Sequence, residues 1–407
     1  MQPVKLGIIG TGQRCIYFFV PYIKSSPEKV KLIGIADNNP ERLNSANQDI
    51  GMPIKSYSNY EDLLENPDIE AVIIATPDST HKIIFEKALA RGKDILCEKP
   101  LATTLEDAIH MVKISLKAKN ILQLGFMLRY SPFYSKLKEI IDKGSIGRIQ
   151  NIKIHETVES YHGATYFRRW HRFVEKSGGL LIHKACHTLD IANWLIEDKP
   201  SWVSATGGIA SFLPKQGTAM HCKDCQFKYD CSASYRFGGW NWNYLNQSER
   251  ENLANDHNDL CVYQTTKDSV DNAVVKVQYS NQINMEYNFS ATGSYQERHF
   301  TIKGSSGIII ASQHEGNILI SQTNLPDQLI KANISQSNEH GDGDNPLMDD
   351  FINSIRSRKA PIADILSGCL SVAIGDAATK SINNNSKWIN IDSELSILPN
   401  KIISIVE

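Results

Sequence analysis

The stretch Val4-Lys5-Leu6-Gly7-Ile8-Ile9-Gly10-Thr11-Gly12-Gln13-Arg14-Cys15 decides the fold of this chain. Its first six residues form a largely apolar run. The glycines follow at once and open a segment of helical length that extends to about Ser25. A buried strand that ends in such a turn is typical of a dinucleotide-binding unit, because Gly10 permits the tight turn and Gly12 lets a pyrophosphate approach the backbone. The free N–H groups of the helix would then face the phosphates.

The acidic residue that closes the second apolar run, Val30–Ala36, supports this interpretation. Asp37 follows the glycines at about the 20-residue distance at which a carboxylate binds the ribose hydroxyls of NAD, and it would repel the extra phosphate of NADP. The alternative is that Asp37 caps the helix after Pro40. Cys15 stands where the third glycine is usual, and its small side chain is a mild departure.

Apolar runs and helix-length segments alternate over residues 1–125. The further runs are Ala71–Ala75, Asp94–Cys97 and Ile121–Leu124, and the further helical segments are Glu41–Asp49, Thr80–Arg91 and Leu105–Ala118. Apolar runs without polar alternation are strands that are buried on both faces, and interleaved helices make the sheet parallel. The α/β pattern therefore predicts an N-terminal NAD-binding Rossmann domain with a doubly wound parallel sheet.

The alternation of strands and helices ends after residue 125, where strands follow one another with only turns between them. The predicted strands are Ile149–Val158, Trp202–Ala210, Ala273–Tyr279, Ile283–Phe289, Phe300–Lys303, Ile308–Ala311 and Ile318–Ser321, and the predicted helices are Leu181–Ile196, Leu347–Arg356 and Ser367–Ile382. Consecutive strands with short turns predict an antiparallel sheet. We expect a C-terminal α+β domain over 126–407 for substrate binding and oligomerisation, with an irregular insertion at about 212–260.

The composition excludes several classes of protein. The 407 residues include 43 Lys and Arg and 45 Asp and Glu, so the net charge of −2 argues against a nucleic-acid partner. No apolar run reaches the ~18 residues of a membrane span, so no membrane partner is expected. The N-terminal residues lack the pattern of a signal peptide, which predicts a cytoplasmic protein. Five of the eight cysteines are scattered singly and are typical of reduced packing residues.

A lysine follows the short strand Asp94–Cys97, in Cys97-Glu98-Lys99-Pro100-Leu101. Ligands of open parallel sheets bind beyond the carboxyl ends of the strands, so we expect Lys99 near the nicotinamide. There it can donate a hydrogen bond to a carbonyl or alcohol oxygen and stabilise alkoxide character during hydride transfer. The alternative is a solvated loop lysine.

With these motifs in place, the chain resembles the Gfo/Idh/MocA-type oxidoreductases, which are related to glucose–fructose oxidoreductase and inositol dehydrogenase. The residues that carry the resemblance are Gly10-Thr11-Gly12, Asp37, Ala75-Thr76-Pro77-Asp78-Ser79-Thr80-His81, Glu98-Lys99-Pro100, Gly125 through Arg129, and Gly178-Gly179 leading to His183, His187 and Asp190. The resemblance covers nearly the whole chain. It implies a Rossmann domain, a second domain with a large open sheet, bound NAD(P), and a sugar or polyol substrate between the domains.

The resemblance also assigns residues to the cofactor and the substrate. The residues assigned to the cofactor are Gly10, Gly12, Gln13, Arg14, Asp37, Thr76, Pro77, His81, Glu98 and Lys99. Arg129 is assigned to the substrate. Met127 departs from the Asn that is frequent in the Gly-x-Asn-x-Arg segment of the family, so no substrate contact is assigned to that position.

The segment from Ser177 to Asp190 contains two histidines four residues apart, His183 and His187. On one helix they would share a face, and Asp190 would orient the ring of His187. Imidazole exchanges protons near neutral pH, as alcohol oxidation requires. The resemblance makes His187 the acid/base and His183 its substrate-binding partner. A metal pair or a buried, hydrogen-bonded pair are the alternatives.

Upstream, the segment Tyr166-Phe167-Arg168-Arg169-Trp170-His171-Arg172 is aromatic and basic. Arg168, Trp170 and His171 are candidate substrate residues, because an indole stacks on a sugar ring and the other two bond its hydroxyls. The alternative is a surface segment whose arginines pair with acids.

Cys222, Cys225 and Cys231 form a C-x2-C-x5-C pattern. The first pair has the spacing of a zinc knuckle, but four ligands are needed and no fourth is evident from the sequence. A structural zinc is one interpretation, and reduced cysteines or a labile disulfide are the other.

Three functions are compatible with these features. The first is NAD-dependent transfer of hydride between nicotinamide and a hydroxyl or keto carbon of a sugar, glycoside or cyclitol. The second is glycoside cleavage by transient oxidation and elimination, and the third is a non-catalytic sugar sensor. A homo-oligomer, dimer or tetramer, is expected because an open sheet face needs cover.

Overall fold

The structure is a computed structural model of the chain. It describes residues 2–235, 259–332 and 342–399, so the predicted insertion at about 212–260 lies partly outside the described residues. The chain forms two compact units. The first contains residues 1–135, 340–373 and 393–407, and the second contains residues 136–339 and 374–392.

A sheet of six parallel strands forms the core of the first unit, in the order β3-β2-β1-β4-β5-β6. The strands are β1 Val4–Ile9, β2 Val30–Ala36, β3 Lys55–Tyr57, β4 Ala71–Ile74, β5 Asp94–Cys97 and β6 Leu122–Leu124. Every residue of β4 and β5 is buried, as in strands covered on both faces. The predicted doubly wound sheet is confirmed. The short β3 gave no apolar run and was missed.

Helices connect these strands. They are Val20–Ser25, Pro40–Ile50, Tyr60–Leu64, His81–Ala90 and Leu105–Ser115, with a π turn at Cys15–Phe19 and 3-10 turns at Asp78–Thr80 and Met127–Tyr130. The π turn arises where the N–H of Val20 bonds to the carbonyl of Cys15. Pro21 has no N–H to continue the regular ladder, which explains why the wider turn occurs here.

Helix Asp344–Ser357 belongs to the first unit although it lies far along the chain. Gln123 donates from Nε2 to the carbonyl of Leu347 at 3.0 Å, and the Tyr130 hydroxyl donates to Asp350 Oδ2 at 2.7 Å. The sequence pattern predicts this helix in the second domain, whereas these contacts lie within the first unit.

The second unit contains a nine-stranded sheet in the order β14-β13-β12-β11-β7-β10-β9-β8-β15. Its strands are β7 Ile149–Thr157, β8 Pro200–Gly208, β9 Asn272–Tyr279, β10 Asn284–Ser290, β11 Glu297–Gly304, β12 Gly307–Ser312, β13 Asn317–Gln322, β14 Gln328–Lys331 and β15 Ile389–Asn390. Among the described strands of this sheet, only β7 and β10 pair in parallel. The predicted large, mostly antiparallel sheet is confirmed.

One predicted helix of the second unit, Leu181–Ile196, is interrupted. Helix Leu180–His183 ends and helix Cys186–Ile196 begins after two intervening residues. The N–H of Ala185 reaches back five residues to the carbonyl of Leu180 at 2.9 Å, which breaks the i to i−4 pattern. The histidine pair therefore lies on two consecutive helices instead of one. The remaining described helices of the whole chain are Pro132–Asp142, Ser160–Arg168, Val174–Ser177, Ile365–Asn383 and Asp392–Leu395, with 3-10 turns at Trp170–Arg172 and Cys222–Asp224.

Of the described helices, Ile365–Asn383 alone is long and apolar enough to cross a membrane by length and composition. Its most apolar window is 72% buried inside the protein. A mostly buried helix of this kind is also what the core of a globular protein contains.

Candidate functional site

The glycine turn after β1 has the geometry that a dinucleotide requires. Gly10 has φ +94°, and a Cβ there would lie 2.5 Å from the carbonyl oxygen of Ala75, so no larger residue fits without displacement. At Gly12 a Cβ would meet nothing within 4 Å, so the space above the turn is open. Gln13 is exposed beside it. These features fit a bound pyrophosphate on the backbone.

Asp37 is held against this turn. Its Oδ2 accepts hydrogen bonds from the backbone N–H and the hydroxyl of Thr11, each at 2.9 Å, and its Oδ1 accepts from the N–H of Asn39 at 2.9 Å. The cap of the following helix is Asn39, whose side chain accepts from the N–H groups of Glu41 and Arg42. The alternative role of Asp37 as that cap is therefore wrong.

Arg14 and Glu98 tie the glycine turn to the lysine turn. Nε of Arg14 donates to Glu98 Oε1 at 2.8 Å, and Nη2 lies 2.7 Å from the same oxygen. Nη1 donates to Asp344 Oδ1 at 2.9 Å. Glu98 Oε2 also accepts from the N–H of Lys99 at 3.2 Å. A Cβ on Gly125 would lie 2.9 Å from the Glu98 carboxylate, so this glycine makes room for the pair. Two residues predicted to bind the cofactor thus bind each other.

His81 joins the turn after β4 to the lysine turn. Its ring is fully buried, with Nδ1 2.7 Å from the carbonyl oxygen of Pro100 and Nε2 2.9 Å from that of Thr76. Lys99, before the cis peptide to Pro100, is half-buried. Burial raises the pKa of Asp78 to about 7, while the charges of His81 and Lys99 oppose the rise. The turns after β1, β4 and β5 are therefore linked by side-chain contacts at one edge of the sheet.

Arg129 lies in the 3-10 turn Met127–Tyr130 and is buried. Its Nη1 donates to the carbonyl of Ile362 at 2.8 Å, within the first unit. Pro77 begins the 3-10 turn Asp78–Thr80.

In the second unit, His187 is buried in the first turn of helix Cys186–Ile196, and Asp190 is buried one turn later. The neighbouring Thr188 anchors this helix to the sheet through a buried cluster, which we call the Glu156 network. Arg298 Nε donates to the Thr188 hydroxyl at 2.8 Å, and that hydroxyl donates to Glu156 Oε2.

The Glu156 network also contains a buried ion pair. Arg298 Nη2 lies 3.0 Å from Glu156 Oε1, and both side chains are nearly inaccessible. The hydroxyl of Tyr287 donates to Glu156 Oε2 at 2.8 Å. Burial, reinforced by the Glu156 charge, raises the pKa of Tyr287 well above its ordinary value, so this phenol acts as a donor. No residue of the network was predicted from the sequence.

Trp170, His171 and His183 form one aromatic cluster. Trp170 stacks on His171 with ring centroids 3.9 Å apart, and His171 and His183 lie 4.4 Å apart. The ring centroid of Tyr166 lies 5.5 Å from those of both His171 and His183. The Tyr166 hydroxyl lies 2.8 Å from Nε2 of His162. Sequence reasoning missed His162 and Tyr166, although their spacing of four on a helix could have indicated the pair.

Arg168, predicted to bind substrate, is buried. Its Nε donates to the carbonyl of Leu260 at 3.1 Å, and Nη2 contacts the carbonyl of Ala233 and lies 3.9 Å from Cys222 Sγ. The guanidinium therefore has a structural role, because it holds together residues of the irregular segment that follows β8.

Cys222, Cys225 and Cys231 line a small cavity together with Cys261. All are free thiols, and no group of three or more His, Cys, Asp or Glu among the described residues is placed to hold a metal ion. The described residues therefore do not support the predicted zinc site. The C-x2-C spacing brings the cysteines near one another, but Cys222 Sγ accepts hydrogen bonds from Arg168 and the N–H of Tyr235 instead.

Residues 4–126 match the model described as oxidoreductase family, NAD-binding Rossmann fold, and residues 138–391 match oxidoreductase family, C-terminal alpha/beta domain. The chain belongs to the Gfo/Idh/MocA oxidoreductase family. It is therefore an NAD-binding oxidoreductase, and the predicted family and enzyme class are confirmed.

The relatives are similar over different lengths. The Bacillus subtilis (strain 168) protein YteT is 26% identical over 92% of this chain and 94% of its own length. The scyllo-inositol 2-dehydrogenase (NAD+) of the same organism is 33% identical, over 53% of this chain and 60% of the relative. A solved structure of levoglucosan dehydrogenase with NADH and levoglucosan has a TM-score of 0.73 at 19% identity, covering 96% of this chain and 100% of that one.

Proposed function

We propose that this Gfo/Idh/MocA oxidoreductase transfers hydride between NAD and a hydroxyl-bearing carbon of a sugar, glycoside or cyclitol. The observation that carries the proposal is the linkage of three turns at the carboxyl edge of the parallel sheet. The Arg14–Glu98 pair and the two His81 contacts join the glycine turn, the turn after β4 and the lysine turn. Cyclitol and anhydrosugar dehydrogenases among the relatives support the substrate class.

NAD, when bound, supplies the nicotinamide carbon that accepts the hydride. Gly10 and Gly12 would hold its pyrophosphate, and Asp37 would accept hydrogen bonds from its ribose hydroxyls, which favours NAD over NADP. Gln13, Thr76 and Pro77 border the same edge and are assigned to the cofactor as well.

Lys99 and His187 would act on one substrate hydroxyl. The Lys99 ammonium donates a hydrogen bond to the oxygen as negative charge develops, and the His187 imidazole takes the proton. His183, with Trp170 and His171 packed against it, offers an aromatic face and ring nitrogens suited to a polyol. Arg129 is assigned to the substrate on the family motif alone.

A substrate screen tests the function. Purified protein with NAD is presented with sugars, cyclitols and glycosides, and both NADH absorbance and product identity are followed. We expect NADH to accumulate with a keto product. Glycoside cleavage without NADH accumulation would identify the elimination reaction instead. Ligand binding without any turnover would identify a sensor and overturn the proposal. The cytoplasmic location and the homo-oligomeric state stay predictions.

A further inference from the structure

The His81 ring is placed between two groups that can only accept hydrogen bonds. Nδ1 lies 2.7 Å from the carbonyl oxygen of Pro100, and Nε2 lies 2.9 Å from that of Thr76. A neutral imidazole has one donor and one acceptor nitrogen, whichever tautomer it adopts. One of the two contacts would then bring a nitrogen lone pair against an oxygen lone pair in a site with no solvent exposure. Only the doubly protonated ring satisfies both contacts.

We propose that His81 is held as an imidazolium that clamps the turn after β4 to the lysine turn, and that it is a positioning residue for Lys99. The carbonyl that it binds belongs to Pro100, the residue directly after Lys99. The second carbonyl belongs to Thr76. The clamp therefore fixes the backbone that carries the lysine. The role in positioning rests on the proposed function of Lys99, whereas the protonation state does not.

The buried charge of the ring has a nearby compensating group. Asp78, three residues before His81 and 4% exposed, interacts with the charges of both His81 and Lys99. Burial raises the pKa of this carboxyl to about 7. Above that pH Asp78 is ionised, and its negative charge supports the imidazolium.

The other charged groups on the elements that pack around His81 have partners of their own. In the lysine turn, Glu98 is paired with Arg14 at 2.7 Å. On the helix that His81 begins, Lys82 is paired with Asp107 at 2.7 Å and Glu86 with His110 at 3.0 Å. Asp78 and Lys99 are thus the groups whose charge acts on the clamp.

The protonation state is measured directly on the full wild-type chain. In protein labelled with 15N at its 12 histidines, long-range proton–nitrogen correlation spectra distinguish imidazolium from either neutral tautomer. The signals of His81 are assigned by their loss in His81→Gln. We expect both ring nitrogens of His81 to carry protons from pH 6 to pH 8.5. A neutral-tautomer pattern at pH 7.5 would overturn the proposal.

Kinetics test the positioning role. Because a small displacement of a catalytic group costs about 10²-fold, His81→Gln should lower kcat by about that factor and leave the Kd for NAD within about twofold. The control, His110→Gln, removes an exposed imidazole and should change neither quantity. A higher Kd for NAD with unchanged kcat would show that His81 binds the cofactor instead. If Lys99→Met kept full turnover, the proposed function would fail while the nuclear magnetic resonance result still decided the clamp.

Discussion

The turns of the first unit and the histidine segment of the second unit are held in place by different means. The turns follow adjacent parallel strands, and short contacts such as Arg14–Glu98 and His81–Pro100 join neighbours along one sheet edge. The helix of His187 is anchored by the Glu156 network, in which Arg298 bonds Thr188 across 110 residues of sequence.

The two regions should therefore respond differently to substitution. Residues in the turns are placed by the topology of the sheet, so changing one should alter binding or turnover more than stability. The histidine segment depends on a buried charge pair, and removing one member leaves the other without compensation. Substitutions there should lower both stability and turnover.

The largest effect is expected from the two proposed catalytic side chains, one in each region. Lys99→Met and His187→Asn should each lower kcat by about 10²- to 10⁴-fold, the range for loss of a group that donates or transfers a proton. The Kd for NAD, measured by isothermal titration, should stay within a few-fold of the wild-type value.

Matched controls exist for both substitutions. Lys82→Met breaks an exposed pair with Asp107, and His110→Gln breaks an exposed pair with Glu86. Neither should change turnover. Full activity in both Lys99→Met and His187→Asn would refute the assignments.

The next effect is on stability, in the second unit. Arg298→Met leaves Glu156 buried and uncompensated, so the free energy of unfolding should fall by about 3–5 kcal/mol, as measured by urea denaturation. The double variant Arg298→Met/Glu156→Gln removes both charges and should recover most of the loss. A double variant no more stable than the single one would show that the ion pair is not what anchors the helix.

The two glycines of the first turn should respond differently. Gly10→Ala forces an L side chain to φ +94° and against the carbonyl of Ala75, so it should cost about 1–3 kcal/mol of stability. Gly12→Ala meets no atom within 4 Å and should leave stability unchanged. It should instead weaken NAD about tenfold, or 1.4 kcal/mol, because the methyl group enters the space for the pyrophosphate. Equal effects of both variants on stability would contradict this distinction.

The smallest effect concerns the choice of cofactor. Asp37→Asn removes the negative charge that repels the 2′-phosphate of NADP, and Arg42 Nη1 lies 3.9 Å from this carboxylate. The ratio of the Kd values for NADP and NAD should fall by about tenfold, or 1.4 kcal/mol. An unchanged ratio would show that other residues determine the preference for NAD over NADP.

The sequence predicts the first region well because its information is local. The strand bounds Val4–Ile9, Val30–Ala36 and Asp94–Cys97 agree with the structure, since apolar runs and glycine turns define them. Parallel topology then brings the turns to one edge, which placed Lys99 beyond the end of β5.

The remaining features depend on contacts between distant residues. Nothing near Glu156 in the sequence indicates that Arg298 and Tyr287 share its carboxylate. Arg168 was predicted to bind substrate because its neighbours in the sequence are aromatic, but its hydrogen-bond partners in the structure are Cys222, Ala233 and Leu260. The interruption of the helix before Cys186 could not be predicted either, because the helical pattern of apolar residues continues through that point.

The central claim is that Lys99 and His187 serve one substrate hydroxyl. A crystal structure of the protein with NAD and a sugar or cyclitol identified by the screen tests it most directly. We expect the Lys99 ammonium and a His187 ring nitrogen within hydrogen-bonding distance of the same hydroxyl oxygen, on the carbon that faces C4 of the nicotinamide. Either side chain lying beyond the reach of that hydroxyl would contradict the account.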